Sequence, residues 1–195
     1  MDRLVLLDFK KRITEDPLHV MSSWNDSIDL CSWVGVTCNR ATKGVVILNL
    51  MSQKLLGSLL NLNFLLLDGN NLSGTIPGWI GNFSSLRSLF LSQNNFQGNI
   101  PNELGHLTVL WNFSLGENNL PGMVPSSIYN ISSPYIFSVI GNHMHGELPP
   151  NVGVTLPNLQ AFYCGANNFT GPIPPSFSNA SRLQILNFAF NGFPC

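Results

Sequence analysis

The amino-acid sequence predicts an α/β solenoid of right-handed coils about 24 residues long, with parallel strands on the concave face and short turns or 3-10 helix on the convex face. Three observations predict it. An asparagine recurs at steps of 24, 24, 24, 25 and 24 residues, at Asn70, Asn94, Asn118, Asn142, Asn167 and Asn191. Apolar residues alternate just before it, as in Leu65 and Leu67 or Phe113 and Leu115. A glycine and a proline follow at fixed distances, as in Gly74 and Pro77, Gly98 and Pro101, or Gly171 and Pro174.

Each position in the frame has a physical task. The alternating apolar residues make a short strand with one face turned inward, and strands of successive coils stack in parallel. The asparagine stands where the chain turns off the strand, and its amide can bond the backbone groups that the turn leaves unpaired. Stacked asparagines then form a buried ladder. The glycine allows a backbone conformation that other residues resist. The proline, with its φ fixed and no N–H, suits an extended crossing to the outer side. Turns or 3-10 helix are expected there, as at 78–83 and 102–107.

Ahead of the repeats, Leu4, Leu6, Leu7, Phe9 and Ile13 predict an amphipathic helix that ends near Asp16-Pro17. Ser23-Trp24 and Cys31-Ser32-Trp33-Val34-Gly35-Val36-Thr37-Cys38 follow. With the recurring L-x-G-x-I-P, these segments resemble the plant class of leucine-rich repeats and the N-terminal cap of plant receptor-like kinases, nearest the subgroup that senses microbial patterns. The resemblance divides the chain into a cap, 1–43, and about six repeats and a partial one, 44–195. It implies a Cys31–Cys38 disulfide stapling the cap, a pairing that the six enclosed residues suit. It also implies the extracellular face of the plasma membrane, a peptide or microbial pattern as ligand, and a co-receptor ectodomain as partner.

Binding residues are expected between the strand leucines on the concave face. The columns four, six and seven places before the asparagines supply Phe64, Leu66, Phe90, Trp111, Tyr135, Ile136, Tyr163 and Asn187. Aromatic anchors in a row suit an interface. The alternative is a secreted inhibitor of a cell-wall-degrading enzyme, similar to polygalacturonase inhibitors, and the sequence beyond Phe193 would separate the two. The first repeat departs from the frame. Gln53 replaces the asparagine, Leu60 the proline, and Gln53 to Asn70 is 17 residues, which predicts a pinched coil. The repeats stop in mid-frame at Cys195, and no apolar leader or 18–20-residue apolar span accompanies them. The chain therefore reads as a truncated stretch of a longer receptor, without the kinase.

Composition points the same way. Charged residues make up only 10% of the chain, and the net charge of -1 offers no basic field for nucleic acid. Seven N-x-S/T sequons, at Asn25, Asn71, Asn82, Asn112, Asn130, Asn168 and Asn179, would hydrate such a surface as glycans. Asn112 should face the concave side. Cys164 occupies a strand-leucine position and is expected to be a buried thiol. His143 and His145 are read as a surface pair in a loop, and Glu103, Glu117 and Glu147 as isolated loop carboxylates. No catalytic residue, metal site or cofactor is expected.

Overall fold

The computed structural model describes residues 6, 7, 10, 16, 18–38, 45–48, 63–69 and 72–194. Asn70, Asn71, Cys195 and the shortened coil between Gln53 and Leu62 lie outside the described residues.

The cap is built around two tryptophans. Trp24 and Trp33 are fully buried and stack at 5.3 Å. Their indole N–H groups donate to Val34 O (2.8 Å) and Ile28 O (3.3 Å), so neither large ring leaves a polar atom stranded. The Asp16 carboxylate accepts from the N–H groups of Val20 and Met21, which open a 3-10 turn, Val20–Ser23. Cys31 and Cys38 are bridged as expected, with Cα atoms 5.4 Å apart. Cys38 ends β1 (Val36–Cys38), which pairs antiparallel with β2 (Val45–Leu48).

Two strands then alternate in each coil. They run β3 (Phe64–Leu66), β4 (Ser73–Thr75), β5 (Ser88–Phe90), β6 (Asn95–Gln97), β7 (Asn112–Ser114) and β8 (Pro121–Gly122). After these come β9 (Ile136–Ser138), β10 (His143–Glu147), β11 (Ala161–Tyr163), β12 (Asn168–Thr170) and β13 (Ile185–Asn187). The odd strands from β3 to β13 form one six-stranded parallel sheet in chain order. The even strands form a second sheet that the repeat frame did not suggest. It comes in two pieces, β4–β6 and β8–β10–β12, joined by the single bridge Gln97–Asn119. His143, His145 and Glu147 therefore sit on a strand, β10, and not in a loop. The far side carries 3-10 turns at Gly78–Asn82, Asn102–His106 and Pro175–Asn179. In two coils the turn is α-helical instead, α1 (Ser126–Tyr129) and α2 (Val152–Thr155).

The core follows the frame. Leu65, Leu89, Phe113, Phe137 and Phe162 point inward from successive strands and are buried. Phe113, Phe137 and Phe162 stack at 5.2 and 4.9 Å, about the spacing of neighbouring strands. Cys164 is free and buried, and burial pushes its thiol up to about 12.

Asn94, Asn118, Asn142 and Asn167 are buried, and each makes the same bonds. Asn118 Nδ2 donates to Leu115 O and Gly116 O of its own turn and to Leu91 O of the preceding coil, all at 3.0–3.1 Å. Its Oδ1 accepts from Phe96 N at 3.0 Å, also in the preceding coil. Asn191 repeats the pattern half-buried. The residue before each described ladder asparagine has a left-handed backbone: Gln93, Glu117, Gly141, Ala166 and Phe190, with φ between 51° and 65°. In that conformation its carbonyl meets the ladder N–H of the coil before, as Gly141 O does for Asn118 N at 3.2 Å. Only one of the five is glycine, so four side chains bear the left-handed penalty.

Two predictions follow from the ladder. Asn118→Ala would leave a buried N–H and several carbonyls unpaired, and should cost about 3 kcal/mol or more in urea unfolding of the disulfide-bonded chain. A loss below about 1 kcal/mol would mean that the ladder does not hold the coils together. At the left-handed position, Ala166→Gly should gain about 0.5–1 kcal/mol. Gly141→Ala should lose at least as much, because an added Cβ also meets Glu117 Cγ at 3.3 Å. If both substitutions shift stability in the same direction, the backbone assignment is wrong.

Candidate ligand-binding face

Because Leu65, Leu89, Phe113, Phe137 and Phe162 face inward, their neighbours along each strand face outward. Two columns result. One reads Phe64, Ser88, Asn112, Ile136, Ala161 and Ile185, and the other Leu66, Phe90, Ser114, Ser138, Tyr163 and Asn187. Phe64 and Leu66 are about half exposed, at 49% and 50%. Phe90, Ile136, Tyr163 and Asn187 are half-buried between their neighbours. The strands thus place all the expected face residues on one sheet or at its margin, as a partly apolar row around a polar middle.

That middle is low and hydrogen-bonded. Ser88 and Ser138 are buried by their neighbours. Asn112 Nδ2 donates to Ser88 Oγ at 2.9 Å, and the hydroxyls of Ser92 and Ser114 lie 2.7 Å apart. Asn112 does face the sheet surface, and its amide is already engaged there. The exposed sequons lie elsewhere: Asn82, Asn130 and Asn179 in or just after the outer turns and Asn168 on β12. Asn25 is half-buried in a cap turn, where it accepts from Ser27 N and donates to Ser22 O.

Trp111 and Tyr135 sit one residue before their strands, at the sheet margin. Their rings are 6.1 Å apart and tilted. Arg87, which the composition marks only as one of two cations after Lys54, sits one coil earlier in the same column. Its guanidinium lies 4.4 Å over the Trp111 ring. Such a contact stabilises by about 0.5–1 kcal/mol at an exposed site. The shared column was the available signal for Arg87, since it stands seven places before Asn94 as Trp111 does before Asn118. Past the other ends of the strands the charges are negative. Asp68 accepts from Ser92 N at 2.7 Å, and Glu117 accepts from Gln93 Nε2 at 3.1 Å. Burial raises the Asp68 carboxyl, partly opposed by the Ser92 N–H. A ligand lying across the strands would meet a cation and two aromatic rings on one side and two carboxylates on the other.

Among the described residues no group of three or more His, Cys, Asp or Glu could hold a metal ion. No described helix is long and apolar enough to cross a membrane.

Residues 1–39 match the leucine rich repeat N-terminal domain family, and residues 61–83, 85–107 and 158–180 match the leucine rich repeat family. A probable leucine-rich-repeat receptor-like serine/threonine-protein kinase of Arabidopsis thaliana is 48% identical over 68 residues, 33% of this chain and 7% of that protein. The chain therefore spans a small fraction of the length of such relatives. The crystal structure of PEPR1 with AtPEP1 aligns at a TM-score of 0.68 and 36% identity, covering 98% of this chain and 28% of that one. A chain of the BIR3–SERK2 complex from Arabidopsis thaliana aligns at a TM-score of 0.51 and 32% identity, covering 88% of this chain and 96% of that one. The disulfide-stapled cap, the stacked repeats and these alignments agree, and the chain belongs to the leucine-rich-repeat family of plant receptor ectodomains.

Proposed function

We propose that this chain is the recognition part of an extracellular plant receptor-like kinase, with 1–43 as its cap and 44–195 as the repeats that read the ligand. The ligand is an extended peptide or protein segment, a microbial pattern or a hormone, laid on the strand-lined face. The observation that carries this reading is the Arg87–Trp111–Tyr135 column, on a rigid sheet beside the half-exposed Phe64 and Leu66. Aromatic and arginine anchors on a preordered surface supply most of the energy of an interface. The small polar floor of Ser88, Ser114 and Ser138 lets a peptide backbone approach closely.

Glycans on Asn82, Asn130, Asn168 and Asn179 would hydrate the outer and lateral sides and leave that face open. The solved relatives support the same use, since one is described with AtPEP1 and another as the BIR3–SERK2 pair. A second ectodomain is thus the further partner, and the plasma-membrane exterior the place of action. The repeats bind and do no chemistry of their own, so catalysis belongs to the kinase of the parent receptor.

The test is selection from a displayed random-peptide library on the secreted chain, followed by titration of the enriched peptides. Trp111→Ala and Tyr135→Ala should each weaken binding by at least about tenfold, whereas Glu103→Ala on the outer side should leave it unchanged. Peptides that bind the wild-type chain and both alanine variants equally well would remove the face from consideration.

A further inference from the structure

By sequence His143 and His145 are a surface pair in a loop, and the fold changes what that pair can do. They stand at the first and third positions of β10, the longest described strand of the second sheet. Both are exposed, and Met144 between them is fully buried. Alternate residues of a strand project to the same side, so the two imidazoles leave the sheet on one face, with their Cα atoms about 6.6 Å apart.

A loop pair would sample many separations, whereas β10 is held on both flanks. His143 lies opposite Pro121 of β8, and His145 opposite Asn168 of β12. His143 N donates to Leu120 O, and Met144 N to the ladder amide Asn167 Oδ1, each at 3.0 Å. The described strands of the second sheet carry no lysine or arginine, and Glu147 projects from the same face two residues past His145. A cation approaching the pair therefore meets a carboxylate and no fixed positive charge on that sheet.

Two neutral imidazoles at this spacing can reach one metal ion, each nitrogen at about 2.0–2.1 Å. Imidazole suits copper, nickel and zinc, whereas calcium and magnesium prefer oxygen. Glu147 is about 10 Å along the strand from the midpoint of the pair, beyond a direct bond, so it acts through its charge and water fills the other positions. The geometry points to a bidentate site in which His143 and His145 together hold one divalent transition-metal ion, Cu²⁺ most tightly. The site lies on the lateral sheet and does not depend on the peptide reading of the strand-lined face.

The probes are the ions themselves, Cu²⁺, Ni²⁺, Zn²⁺ and Ca²⁺, titrated calorimetrically into the disulfide-bonded chain. Accessible thiols are alkylated first, and glycans are removed because Asn168 stands beside His145. One Cu²⁺ should bind per chain at least about tenfold tighter than Zn²⁺, and Ca²⁺ should give no heat. His143→Ala and His145→Ala should each weaken Cu²⁺ at least about tenfold. Glu147→Gln should weaken it only about two- to threefold, and His106→Ala should leave it unchanged. Because these side chains are exposed, the metal-free variants should melt as wild type does. The deciding control keeps two imidazoles on the same face and alters only their spacing. His145→Gln combined with Glu147→His sets them about 13 Å apart and should bind no better than His145→Ala. Wild-type affinity in that double variant, or in either alanine variant, would overturn the proposal. So would displacement of Cu²⁺ by Ca²⁺, or a wild-type Cu²⁺ titration no stronger than that of His143→Ala.

Discussion

Where each inner strand ends, the chain must turn sharply, and the turn leaves carbonyls and an N–H facing the interior. One asparagine amide per coil satisfies them. Because Asn118 donates to carbonyls of its own turn and to one in the preceding coil, it joins two coils as well as closing one. That amide works only if neighbouring coils lie a strand spacing apart, about 4.8 Å. The rest of the solenoid inherits this interval. It sets the phenylalanine stack of the core and brings Arg87 over Trp111 although they are 24 residues apart in sequence.

The ladder also has a local cost. To present its carbonyl to the coil before, the residue preceding each asparagine adopts a left-handed backbone, whether it is Gly141 or the 87%-exposed Phe190. That non-glycine residues occupy four of the five described positions means the bonds formed outweigh a penalty of roughly 1–2 kcal/mol per coil. In a solenoid each coil contacts only its neighbours, so such terms add along the array.

The period, the buried Asn94, Asn118, Asn142 and Asn167, the Cys31–Cys38 bridge and the buried Cys164 were legible because each depends on spacing or residue type alone. The outward columns were legible for the same reason, since Phe64, Phe90 and Tyr163 alternate with inward neighbours. The second sheet was not. Its strands are two to five residues long and contain or directly precede the frame glycines, and five residues such as His143–Glu147 read equally well as a turn. The left-handed positions were hidden because Gln93, Glu117, Ala166 and Phe190 share no chemistry, only a place relative to the next coil's backbone. Arg87 over Trp111 and Tyr129 on Phe137 likewise exist only once coils stack.

The two sheets respond differently to the coil that begins at Asn118, where Pro121 opens a second-sheet strand, β8. Pro121 narrows the second sheet's pairing there to the single Gln97–Asn119 bridge, yet β7 pairs with β5 and β9 without a register shift. The difference lies in which bonds cross between coils. On the inner side Asn118 and Asn142 keep their full sets of bonds, and the phenylalanine stack runs on beneath them. On the lateral side the ladder amides still hold Phe96 N and Leu120 N, and what Pro121 removes is one backbone N–H from the pairing with β6. The architecture therefore confines variation. Side chains on the strand-lined face can change without moving the sheet, and the lateral sheet can lose pairing without disturbing the row of anchors that a ligand would meet.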